Sequence, residues 1–78
     1  MIIVMDIALP GISGIVAMKA ILAKHPEVKV LALSNYSGQS LIQSIQDAGG
    51  VGYVRKKRAF DELIPAIRQV STGHRSFG

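Results

Sequence analysis

The chain opens on an apolar run, Met1-Ile2-Ile3-Val4-Met5, that stops at a single carboxylate, Asp6. Behind it come Ile7-Ala8-Leu9-Pro10-Gly11-Ile12-Ser13-Gly14 and then a helix-like pattern. No other stretch limits the fold as much. An unbroken apolar run suits a strand buried on both faces, as in a parallel sheet flanked by helices. Asp6 then stands at the C-terminal end of that strand, the edge where open α/β sheets place their chemistry. Position alone leaves a second reading open, in which Asp6 merely stops the strand and starts a turn.

Two further strand-then-helix units follow. The spacing of Ile15, Met18 and Leu22, with Ala17 and Ile21 beside them, predicts a helix from Gly14 to about His25. Lys24 and His25 suit a helix C-terminus and Pro26 prevents continuation, so His25 reads as a helix-end residue. A second strand, Val28 to Leu33, ends at Ser34-Asn35-Tyr36. Ser37-Gly38 opens a helix with Leu41, Ile42 and Ile45 on its buried face and Gln39, Gln43, Gln46 and Asp47 outside. Gly49-Gly50 closes it. The short strand Val51 to Val54 leads into Arg55-Lys56-Lys57-Arg58. A last helix is expected from Phe60-Asp61, with Leu63, Ile64, Ile67 and Val70 as its apolar stripe. Pro65 removes a hydrogen bond there, so either the regular helix starts later or its opening turn is distorted. Ser71-Thr72-Gly73 closes it, residues 1–72 read as one domain, and residues 73–78 read as a linker stub in which His74 is solvated. The order β-α-β-α-β-α with short connections predicts three parallel strands alternating with three helices.

Composition sets outer limits. Seventy-eight residues that are 49% apolar allow one small packed domain. With no cysteine there are no disulfides and no thiolate metal sites, which fits a reducing compartment. The longest apolar run is far too short to cross a bilayer and lacks the flanks of a signal peptide, so the expected location is the cytoplasm. Of nine basic residues, four are Arg55 to Arg58, and no aromatic residues interleave with them as stacking platforms. Nucleic-acid binding through that run ranks third among the readings, and steep salt dependence would be its mark.

Each strand delivers one polar residue to the same edge: Asp6, Ser34 and Lys56. A carboxylate nucleophile, a hydroxyl donor and a point-like cation are what a phosphoryl group held on an aspartate needs. At this point the sequence resembles a known family, the response-regulator receiver domains of two-component signalling, closest to the NarL/FixJ (LuxR-type) branch. The carrying residues are Asp6 to Gly14, Leu31-Ala32-Leu33-Ser34, Ala48 to Lys56, and Glu62 to Arg68 with its Pro65. The resemblance implies a partial flavodoxin-like fold. It makes Asp6 the phosphoacceptor, Ser34 and Lys56 the phosphoryl-contacting pair, and Tyr53 the switch aromatic. Asp6 and the backbone carbonyl of Ala8 become metal ligands for Mg2+, and Pro10 and Gly14 shape the adjoining loop.

The resemblance also implies a histidine kinase as partner and a parent transcriptional regulator, with DNA contacted only through a domain beyond this sequence. It makes the chain a signalling module, not an enzyme. Receivers of this family begin with a further strand, helix and strand, and the first of those strands ends in an acidic pair that supplies most of the magnesium ligands. This sequence starts at the acceptor strand, and its other acids, Glu27, Asp47, Asp61 and Glu62, fall elsewhere. Slow or absent phosphorylation of the isolated monomer is therefore expected. So is self-association, through the first strand or the last two βα units. The alternative reading is a pseudo-receiver that serves as a dimerisation or interaction module without being phosphorylated.

Overall fold

The computed structural model describes residues 1–7, 12–36 and 38–77. Its elements run β1 (Ile2–Ile7), α1 (Ile12–Lys24), β2 (Lys29–Ser34), α2 (Gln39–Asp47), β3 (Gly52–Arg55), a 3-10 turn (Lys56–Arg58) and α3 (Ala59–Ser71). The three strands form one parallel sheet in the order β1-β2-β3. Each expected unit is present, with its ends displaced by at most about two residues. Two of these shifts matter for the site: β1 runs through Asp6 to Ile7, and β2 includes Ser34.

Side chains that alternate along the strands divide the core in two. Ile7, Val30, Ala32 and Tyr53 join Met18 of α1 and Ile45 of α2 on one face, with Ile3, Met5, Leu41 and Ile42 packed against them. Leu31 and Val54 meet Ala66 of α3 on the other, with Leu33, Leu63 and Ile67 around them. Helices on both faces explain why β1 and β2 carry apolar residues at successive positions. Val4 lies on the α3 side of β1 and keeps 39% of its surface exposed, because α3 packs mainly over β3.

Two expectations about α3 need correction. Ile64 is 55% exposed and does not belong to the buried stripe; Ala66, Ile67 and Val70 do. A helix that starts at Ala59 presents positions 59, 63, 66, 67 and 70 to the sheet, which turns position 64 outward. Pro65 is accommodated inside the helix, with the chain led in by the 3-10 turn. At the far end, the Lys29 ammonium donates to the Val70 carbonyl at 2.8 Å, neutralising the negative end of α3.

The C-terminal residues turn back onto the sheet. Gly73 adopts φ +91°, and His74 N–H donates to the Gln69 carbonyl at 3.0 Å. His74 is exposed, as expected, but Ser76 then forms a parallel bridge to Gly52 on the outer edge of β3. Phe77 packs against the cluster that contains Tyr53 and Ile45.

Candidate functional site

The register sets the geometry at the C-terminal edge of the sheet. Asp6 pairs with Leu33, Ile7 with Ser34, and Ser34 with Arg55. Asp6 and Ser34 therefore occupy adjacent rows, and Lys56 lies one residue past Arg55, in the first position of the 3-10 turn. The sheet brings two of the three polar residues into direct contact: Lys56 Nζ lies 2.7 Å from Asp6 Oδ1. The Asp6 side chain keeps 56% of its surface exposed and that of Lys56 29%. An approaching group can reach the carboxylate while the cation stays beside it.

Ser34 is fully buried, and its Oγ accepts a hydrogen bond from the Tyr36 N–H at 3.0 Å. A hydroxyl has one donor and two acceptor lone pairs, so this contact leaves its proton to give. Tyr53 is 6% exposed and its hydroxyl donates to the Tyr36 carbonyl. Burial pushes the Tyr53 phenol above its ordinary value of 10.0, with the Arg55 guanidinium pulling the other way. Tyr36 thus binds both hydroxyls through its main chain. The sequence carries little signal for that role, because any residue's backbone could fill it; only its place two residues after Ser34 hints at it.

The basic run does not present one uniform face. Lys56 is turned to Asp6, Arg58 lies 3.4 Å from Glu62 one turn along α3, and the buried Nε of Arg55 has no hydrogen-bond partner. His25 lies at the end of α1, 3.8 Å from Glu27.

Receiver domains generally bind Mg2+ at the acceptor site. Magnesium takes near-octahedral oxygen coordination, usually from more than one protein group. Among the described residues no three His, Cys, Asp or Glu side chains come together, and Asp6 is already paired with Lys56. The described residues therefore do not make a magnesium site by themselves. Ala8, whose carbonyl was expected to be a ligand, lies outside them, as do Pro10, Gly11 and Ser37. Among the described residues no helix is long and apolar enough to cross a membrane.

Comparison with known proteins agrees with this architecture. The family model for the response regulator receiver domain matches residues 1–68. The chain is 34% identical over 74 residues to the response regulator GacA of Pseudomonas protegens, covering 95% of this chain and 35% of that protein. It is 35% identical over 72 residues to the transcriptional regulatory protein DegU of Brevibacillus brevis, covering 92% of this chain and 30% of that protein. Among solved structures, a LuxR-family two-component response regulator from Aurantimonas sp. SI85-9A1 superposes with a TM-score of 0.87 at 33% identity. That match covers 97% of this chain and 54% of the other. The chain thus spans about a third of the length of the curated relatives it matches. The parallel three-stranded sheet, the order of its polar strand ends and these matches lead to one conclusion: the chain belongs to the response-regulator receiver family, in its NarL/LuxR-type branch.

Proposed function

We propose that this chain is the receiver module of a cytoplasmic two-component phosphorelay that accepts a phosphoryl group on Asp6 from a histidine kinase. The observation that carries the reading is the Asp6–Lys56 pair at 2.7 Å on the C-terminal edge of the sheet, with the buried Ser34 hydroxyl in the adjacent row. In the transfer, an Asp6 carboxylate oxygen attacks phosphorus, an O–P bond forms, and the P–N bond to imidazole breaks, its electron pair staying on nitrogen. Lys56 then exchanges part of its contact with the carboxylate for a phosphoryl oxygen, and Ser34 donates its proton to another. The chain is a substrate in this step, not a turning-over catalyst. The output belongs to a transcriptional regulator of which the receiver is one part, as the likeness to GacA and DegU supports.

Transfer of a labelled phosphoryl group from an autophosphorylated histidine kinase of a LuxR-type system tests the proposal. Label should move to the chain and not to Asp6→Asn. Label reaching Asp6→Asn equally would place the acceptor elsewhere. The second reading, a pseudo-receiver acting through its surfaces alone, is favoured by one observation: the described residues offer one carboxylate where a magnesium ion needs several oxygen donors. A folded chain that takes no label from any donor would support it.

A further inference from the structure

We propose that Arg75-Ser76-Phe77 forms a latch on the outer edge of β3, and that its hold is coupled to Ser34 through Tyr36 and Tyr53. The latch is held by two main-chain hydrogen bonds: Tyr53 N–H donates to the Ser76 carbonyl at 2.8 Å, and Ser76 N–H donates to the Val51 carbonyl at 2.9 Å. Phe77 adds a half-buried ring against the cluster that contains the Tyr53 side chain. Two bonds and one ring on a partly exposed segment make a unit that opens well below the free energy of global unfolding.

Tyr53 is the shared member of two sets of contacts. Its amide holds the latch, while its hydroxyl holds the Tyr36 carbonyl, and the Tyr36 amide holds Ser34 Oγ at 3.0 Å. Four residues thus link the buried hydroxyl of the acceptor site to the C-terminal segment by consecutive hydrogen bonds. A shift of Ser34 that carries Tyr36 with it leaves a buried phenol without its acceptor. The ring must then move, and Phe77 packs on the same cluster. Coupling between sites is reciprocal, so loosening the latch must loosen Tyr36 as much as the reverse. None of this requires phosphorylation of Asp6, so failure of the acceptor reading leaves the latch standing and the two fail separately.

Amide hydrogen exchange, followed residue by residue by NMR on the whole chain, tests it. Ser76→Pro removes the latch amide, and the Tyr36 amide should then exchange at least about fivefold faster. Tyr53→Phe removes the phenol oxygen, and the Ser76 amide should accelerate to a similar degree. Ser76→Ala keeps both main-chain bonds and should leave Tyr36 at its original rate. The buried amides of Met18 and Ile45 serve as reference and should not change in any variant. An unchanged Tyr36 amide in Ser76→Pro would overturn the coupling. So would equal acceleration at Met18 and Ile45, which would mark general loosening of the fold, or a Ser76→Ala effect as large as that of proline.

Discussion

At the scale of single residues, Lys56 and Asp6 show how a short distance need not mean much stability. Their pair is only partly desolvated, with more than half of the carboxylate in solvent, so the attraction is largely offset by hydration and ordering. Lys56→Ala should change the unfolding free energy in chemical denaturation by no more than about 1 kcal/mol, while slowing any phosphoryl transfer to Asp6. Tyr53 behaves oppositely, because its phenol is buried and favours the neutral form. The unfolded chain releases this proton near its ordinary value of 10.0, whereas the folded chain holds it to higher pH. The stability that the neutral phenol contributes is complete below that value and is lost as pH rises through the folded value. Denaturation midpoints should therefore fall in that alkaline window, and Tyr53→Phe should remove this part of the decline. The placement of Asp6, Ser34 and Lys56 at one edge was legible in the sequence, because strand ends in a parallel sheet converge and the residue types fit one chemistry; Tyr53 was singled out only by the family resemblance. Tyr36 was not, since it acts through its main chain.

At the scale of elements, the strands and helices follow from apolar spacing and the punctuation of Pro26 and Gly49, while Pro65 sits inside α3 without ending it. The sequence pattern identified α3 but assigned Ile64 to its buried stripe, because two adjacent isoleucine-like positions cannot be phased until the helix start is known. The C-terminal segment was the larger miss. Of the five residues after Gly73 only Phe77 is apolar, so the segment looks solvated, and a two-bond pairing onto an edge strand leaves no periodic trace. Gly52 is what permits that pairing: a Cβ there would come within 2.9 Å of the Ser76 carbonyl oxygen and closer still to the Leu31 side chain. Gly52→Ala should cost about 1–3 kcal/mol as an overpacking substitution and should abolish protection of the Ser76 amide. Normal stability with Ser76 still protected would show that the edge has room for a side chain.

At the scale of the whole molecule, the sheet has one latched edge and one open one. Among the described residues nothing pairs with the outer edge of β1, where Ile2 and Ile3 are half-buried and Val4 is exposed. An apolar edge of this kind invites pairing with another chain, and charge is the usual means of blunting it. The chain should therefore self-associate as concentration rises, and Val4→Lys should shift sedimentation velocity toward the monomer without loss of helical circular dichroism. A wild-type chain that stays monomeric across the same range would contradict this. Association also bears on the acceptor site, because a second chain is one source of the oxygen donors that the described residues lack.

Whether Asp6 accepts a phosphoryl group is read from the intact mass of the chain after incubation with a small phosphodonor and Mg2+. If Asp6 is the phosphoacceptor, the chain slowly gains one phosphoryl group and Asp6→Asn gains none. A gain that persists in Asp6→Asn would contradict it, and a folded chain that gains no mass at any concentration would favour the pseudo-receiver instead.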